Sequence, residues 1–290
     1  MEEIKMVKKL LFLISLITLN VIIIPTKVQA DQHSITLVAI GDSLTYGVGD
    51  NNKNGGYVGD IKKEMKQKQK VNVRTINYGV PGERSDQILK RIETKQNIRN
   101  TIKKADAITI TAGGNDIMQV MKGNPAAMKN DKMQPVISKN EQIFQNNILK
   151  IFTEIHKINP DVPVYMFSIY NPFYVYFPNL KKMQVYTDQW NNLSKQTINQ
   201  QEKVYFIDVN KKLSEGQYYH HEKKNILNES KTDLDSIENK KLKNIVESNS
   251  SDAKNQFLSS DDNFHPNNKG YEYMSNKLYE RMKDTKNEWK

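Results

Sequence analysis

The sequence predicts an α/β domain in which a five-stranded parallel sheet carries helices on both faces. Three observations predict it. Five short apolar runs, several rich in β-branched residues, alternate with stretches of helical periodicity. The first run is nearly continuous in apolar character, as strands buried on both faces are. The composition supports a sizeable core: 290 residues, 37% hydrophobic and 26% charged, with 13 Gly and 9 Pro. That is too apolar for a disordered chain and too poor in Gly and Pro for a fibrous one.

Residues 1–30 come first and stand apart. Lys5, Lys8 and Lys9 precede an apolar run over 10–24, broken only by Ser15, Thr18 and Asn20. Pro25 ends that run and Val28-Gln29-Ala30 offers a small-residue cleavage site, so the segment reads as a signal peptide. An uncleaved membrane anchor is the alternative, although the run is short for a bilayer span. The remaining 31–290 is expected to form one domain, secreted or held at the membrane.

Within it, residues 35–40 form the first strand, ending at Gly41. Tyr57, Ile61 and Met65 then recur at helical spacing. Residues 71–77 are the second strand, and Ile88, Leu89 and Ile92 mark the next helix. The run ADAITIT over 105–111 is the third strand. Ile143, Phe144, Ile148, Ile151, Phe152 and Ile155 give the clearest amphipathic helix. Residues 164–169 and 204–209 supply two more strands, with a weaker helix around Trp190 and Leu193 between them. Tyr271, Met274, Leu278 and Met282 mark a final helix, with Pro266 near its first turn. Two segments fit no element well. One is the polar stretch 118–140, which holds Gly123, Pro125 and Pro135. The other is a polar insertion at 211–256, with a short helix predicted over 242–246.

Composition also excludes function classes. With no cysteine there is no disulfide framework, Cys zinc site, iron–sulfur cluster, Cys nucleophile or lipidated N-terminal Cys. A mean hydropathy of −0.71 excludes a multi-span membrane protein. The net charge of +10 is carried mainly by Lys scattered along the chain, with only 5 Arg and no Arg-rich stripe among aromatics. Nucleic acid is therefore not an expected partner. Such charge first serves solubility, and it suits contact with an anionic membrane surface or cell wall.

The unusual polar residues follow strand ends, where open α/β sheets bind ligands. The first strand leads into Gly41-Asp42-Ser43-Leu44-Thr45, and the second into Asn77-Tyr78-Gly79-Val80-Pro81-Gly82. The third leads into Gly113-Gly114-Asn115-Asp116, and the fifth, past the insertion, into Asp262-Asn263-Phe264-His265-Pro266. All four clusters are predicted to share one rim of the sheet.

These four blocks, in this order across residues 35–285, resemble the SGNH (GDSL) hydrolase family, and within it the bacterial exported lysophospholipase-like esterases. The resemblance implies a three-layer α/β/α, flavodoxin-like fold and a serine esterase or acylhydrolase needing neither metal nor cofactor. Ser43 is the expected nucleophile. His265 is the expected base, and Asp262, three residues earlier, orients it in a Ser-His-Asp triad. Asp261 is the less suitable alternative. No G-x-S-x-G elbow is present. The family further implies an oxyanion hole from the Ser43 and Gly82 amides and the Asn115 side chain.

Each residue also has a plainer reading. Ser43 alone is a good helix N-cap, Asn115 a turn residue, and Asp116 a cap for the segment that follows it. The His220-His221 pair has no ligand cluster beside it, so no metal site is expected. His33 and His156 read as a tail and a helix-surface residue. In the stretch YNPFYVYFP over 170–178, Phe173, Tyr174, Tyr176 and Phe177 either wall a substrate groove or pack among themselves. The expected substrate is a small-molecule or lipid ester. The rivals are a carbohydrate O-deacetylase of the same family acting on the cell wall and a non-catalytic surface binding protein.

Overall fold

β1 (Ser34–Gly41) sends alternate side chains to opposite sides of the sheet, as a strand's two-residue period requires. Ile35, Leu37 and Ala39 join one hydrophobic cluster and Val38 and Ile40 the other. The computed structural model describes residues 34–124, 126–127, 132–177, 181–220 and 254–289. By contact the chain divides into Met1–Gln32 and His33–Lys290, and the described residues all lie in the second unit. The export segment and the helix expected over 242–246 fall outside the described residues.

Five parallel strands form one sheet in the order β2-β1-β3-β4-β5. They are β1, β2 (Asn72–Gly79), β3 (Ala107–Thr111), β4 (Val164–Phe167) and β5 (Val204–Ile207). Gly41 lies level with Gly79 on one side and Thr111 on the other. The strand order reverses at β1, between β2 and β3, which is where open sheets of this kind leave a crevice for ligands.

Helices cover both faces, giving the three layers expected. In chain order they are α1 (Ser43–Tyr46), α2 (Tyr57–Gln69), α3 (Ser85–Thr94), α4 (Gln96–Ile102), α5 (Gly114–Gly123), α6 (Met133–Ile158), α7 (Lys181–Ile198), α8 (Asn210–Glu215) and α9 (Asn268–Asp284). α3 to α7 bury Ile88, Ile98, Ile117, Phe152 and Trp190 against Val38, Ile108 and Met166. α2, α8 and α9 bury Ile61, Met65, Leu213, Tyr271 and Leu278 against Leu37, Tyr165 and Ile207. Each such aliphatic side chain stabilises the fold by roughly 1.5–3 kcal/mol when fully buried.

Several expectations are corrected. The stretch 118–140 is largely helical: α5 runs to Gly123 and α6 begins at Met133, ten residues before the expected start at Ile143. Pro135 is compatible because it lies in the first turn of α6, where its missing N–H has no intrahelical partner to lose. Ile143 itself is 50% exposed, off the buried stripe of α6. α4 was not foreseen, having only Ile98 and Ile102 buried. Pro266 lies outside α9, whose N-cap is Asn267 with its side chain accepting from the Gly270 N–H at 3.1 Å. The described ends of the 211–256 insertion are structured. α8 and a 3₁₀ turn at Gly216–Tyr218 are tied back by bonds from Asn255 to the Leu213 carbonyl (2.8 Å) and from Gln217 to the Lys254 carbonyl (2.7 Å).

Candidate active site

Ser43 opens α1 two residues past the end of β1, with Asp42 between them, and is 6% exposed. Its helix is a single turn. Asp42 caps it, accepting the Leu44 N–H at 3.0 Å through Oδ1. The same oxygen accepts the Thr111 hydroxyl from the end of β3 at 2.7 Å, and Thr111 Oγ1 in turn accepts the Asp42 N–H at 3.2 Å. A hydroxyl has one proton to give, which sets the direction of the chain behind it. Thr45 must donate to Thr111 (2.8 Å), Tyr57 to Thr45 (2.9 Å) and Thr109 to Tyr57 (3.1 Å). Burial pushes the Asp42 carboxyl up, against the Thr111 and Leu44 donors that favour its charge. Burial likewise pushes the Tyr57 phenol up. The turn carrying Ser43 is thus held from below by a buried hydroxyl network.

His265 reaches the same point from the loop before α9. Its Nε2 stands 2.9 Å from Ser43 Oγ, and its Nδ1 stands 2.5 Å from Asp262 Oδ2. Asp262 Oδ1 also accepts the backbone N–H groups of Phe264 (2.9 Å) and His265 (3.0 Å). Burial works to raise the Asp262 carboxyl, but the bonds and charge of His265 and these amides outweigh it and hold it below the usual range. An ionised Asp262 is an acceptor only, so in the neutral imidazole Nδ1 carries the proton and Nε2 is free to accept from Ser43. Asp261 takes a different part, its N–H bonded to Ser259 Oγ at 3.2 Å.

Gly82 lies on the loop after β2 and Asn115 at the start of the helix after β3. Gly82 has φ +83°, a left-handed conformation suited to glycine, and nothing lies within 4 Å of where a Cβ would stand. Its surroundings are open to a ligand. Asn115 is the second residue of α5 and lines the cleft beside Ser43. Its Nδ2 donates to the Glu83 carbonyl at 2.9 Å, joining the Gly82 loop to the start of α5. Asp116 does not cap its own helix. It accepts from Ser85 N (3.0 Å) and Ser85 Oγ (2.5 Å) at the start of α3, and burial raises its carboxyl.

The cleft over Ser43 has an apolar wall of Leu44, Ala112, Ile169, Tyr170, Pro172 and Phe264. None of Phe173, Tyr174, Tyr176 and Phe177 lines it. Phe173, Tyr176 and Phe177 are buried in the core, so the groove expectation is corrected in favour of inward packing. They act one layer back. The Tyr176 hydroxyl donates to Asn263 Oδ1 at 2.6 Å, and the Phe173 ring packs on Phe264 at 6.1 Å. Tyr170 donates to the Phe264 carbonyl at 2.6 Å. Together they brace the loop that presents Asp262 and His265. Of the stretch 170–178 it is Tyr170 and Pro172 that line the cleft, and sequence reasoning missed Thr111 and gave Asn263 no part. Only the position of Thr111 at the end of a strand beside the Ser43 turn signals its part.

The other histidines lie elsewhere. His156 Nε2 contacts the Val162 carbonyl at 3.1 Å, and the His220 ring lies tilted against Tyr219 with centroids 3.8 Å apart. His33 and His221 fall outside the described residues. Among the described residues no group of three potential metal ligands occurs.

The model of the GDSL-like lipase/acylhydrolase family matches residues 39–236 of this chain. The chain is 28% identical over 253 residues to YpmR of Bacillus subtilis, spanning 87% of this chain and 83% of that protein. It is 29% identical over 144 residues to the spore germination lipase LipC of Bacillus licheniformis, spanning 48% of this chain and 66% of LipC. Among solved structures, the lipase Lip_vut3 from a goat rumen metagenome superposes with a TM-score of 0.61 at 24% identity, covering 85% of this chain and 96% of that one.

Proposed function

The chain belongs to the GDSL-like lipase/acylhydrolase family, with its SGNH fold and carboxylic ester hydrolase activity, and from that premise we propose an exported serine esterase acting on acyl esters of lipids. The observation that carries the reading is the continuous contact from Ser43 Oγ through His265 to Asp262, at 2.9 and 2.5 Å. Ser43 Oγ attacks the acyl carbon as its proton passes to His265 Nε2. The Ser43 and Gly82 amides and Asn115 Nδ2 donate to the oxyanion. The ester C–O bond then breaks, and His265 returns the proton to the leaving alcohol. Water attacks the acyl-enzyme, gives its proton to His265, and the acid leaves as Ser43 regains its hydrogen. Asp262 stays ionised and stabilises the imidazolium at each stage.

The apolar wall beside the nucleophile supports an acyl chain as the occupant of the cleft. The likeness to a protein named a lipase supports a lipid ester. The basic start, apolar run and small-residue end of residues 1–30 support export, and the net charge of +10 suits work at an anionic surface.

Hydrolysis of chromogenic esters from acetyl to long acyl chains, by the protein and its Ser43→Ala variant, tests the proposal. Turnover should fall at least about 1,000-fold in the variant, and medium or long chains should be preferred. Activity on acetyl esters alone would favour a carbohydrate O-deacetylase. An equally active Ser43→Ala variant would remove Ser43 as the nucleophile.

A further inference from the structure

Arg91, on α3, has a set of contacts that the triad and the oxyanion donors leave unexplained. Its Nε donates to Glu83 Oε2 at 2.7 Å, and its Nη2 lies 2.6 Å from the same oxygen. Nη1 donates to the Tyr78 carbonyl at 3.0 Å and Nη2 to the Gly41 carbonyl at 3.2 Å. Both side chains of the pair are only 15% exposed, so water screens them much less than a surface pair.

These acceptors lie on the segments that carry the oxyanion donors. Gly41 ends β1, two residues before Ser43, and Tyr78 is the next-to-last residue of β2, just before the Gly82 loop. Glu83 directly follows Gly82, and its carbonyl holds Asn115. One planar cation therefore ties the strand end before Ser43 to the loop of Gly82, and through Glu83 to Asn115. Backbone bonds from Val80 N–H to the Gly41 carbonyl (2.9 Å) and from Glu83 N–H to the Val80 carbonyl (3.3 Å) shape the same loop, and beyond its chain neighbours nothing packs on the side of Gly82 where a Cβ would stand. α3 meanwhile has its own anchors in Ile88, Leu89 and Ile92.

We infer that Arg91 is a positioning residue that sets the spacing of the oxyanion donors of Ser43, Gly82 and Asn115. The inference rests on the reading of those groups as the oxyanion hole. The fork geometry is essential to it: a guanidinium reaches several acceptors in one plane, whereas a lysine ammonium acts as a point charge.

The test compares wild type, Arg91→Met, Arg91→Lys, Glu83→Gln and Ser43→Ala in the full chain. It measures kcat and KM on the best chromogenic ester, and inhibition by an alkylboronic acid, whose tetrahedral serine adduct places an oxygen where the oxyanion forms. Arg91→Met should lower kcat about 10- to 100-fold with KM within about twofold, since displaced donors cost mainly transition-state stabilisation. Boronate inhibition should weaken by a similar factor, and Arg91→Lys should recover only part of the loss. A purely structural role predicts a lower melting temperature with normal kcat in the folded fraction. Should Arg91→Met fail to unfold cooperatively, Arg91→Lys and Glu83→Gln carry the test by the same criteria. Unchanged kcat in these folded variants, or a fall in kcat with unchanged boronate inhibition, overturns the inference. Ser43→Ala separates the two failures. An inactive Ser43→Ala beside a fully active Arg91→Met sinks the role of Arg91 alone, and an active Ser43→Ala sinks the underlying site.

Discussion

Thr111 serves the nucleophile's turn through a single oxygen atom, which donates to Asp42 and accepts from Asp42 N–H and Thr45. Valine has nearly the same shape and none of these bonds. In Thr111→Val the Asp42 carboxylate, the Asp42 N–H and the Thr45 hydroxyl each lose a buried partner, at about 1–3 kcal/mol for each group left unsatisfied. The variant should melt several degrees lower and lose kcat, because the Ser43 turn loosens; calorimetry beside steady-state kinetics would show both. Wild-type melting and turnover would mean that the hydroxyl network is incidental. The contrast with Ser43, Asp262 and His265 explains what could be read in advance. Those three fall in polar blocks after strand ends whose order matches a family, and that pattern marks them beyond the capping and turn roles each could play alone. Thr111 is β-branched in a strand, where it looks like simple strand propensity. The aromatics at 170–178 are ambiguous for a related reason. A Phe or Tyr in a loop beside a site has the same sequence signature whether it faces the cleft or, like Phe173 and Tyr176, the core.

At the level of elements, the close fit of α1 on the end of β2 constrains the site most. A Cβ on Gly79 would stand 2.1 Å from the Tyr46 N, with backbone on both sides of the conflict. No rotamer change can relieve it. Gly79→Ala should therefore push α1 away from β2 and destabilise by about 1–3 kcal/mol, the usual range for overpacking. Gly82→Ala meets open space and should cost only the strain of its positive φ, about 1 kcal/mol. Urea unfolding of the two variants would rank them, and an equal or reversed order would contradict this account. The strands were legible because their apolar runs are dense and bounded by turn residues. The interval 118–140 was not, because α5 and the start of α6 anchor themselves with Ile117, Met121, Met133 and Ile137 spread among polar residues. Sparse anchors supply too little periodicity to outweigh the Gly and Pro signals beside them.

For the molecule as a whole, the balance of charges sets how stability follows pH, and two carboxylates pull in opposite directions. Asp262 has a depressed pKa, so it adds stability above the ordinary carboxyl range that is lost as pH falls through its folded value. Asp60, in the first turn of α2, is the reverse. Burial raises it to about 6, helped by Asp50, Glu272 and Glu64 and opposed by Lys63. The folded state then holds this proton more tightly than the unfolded chain. Stability is lost as pH rises from the ordinary value of 3.8 to about 6, and the penalty is complete above that. The group is half-buried and still in reach of solvent, so screening reduces the effect to on the order of 1 kcal/mol. Asp60→Asn should consequently raise Tm by about 2–4 °C at pH 7.5 and leave it nearly unchanged at pH 3.5, where Asp60 is mostly protonated in both states. Melting curves across that range would decide the matter. A gain of equal size at both pH values would point to packing or helix propensity, and a loss at pH 7.5 would mean that the Asp60 charge is favourably held at the start of α2.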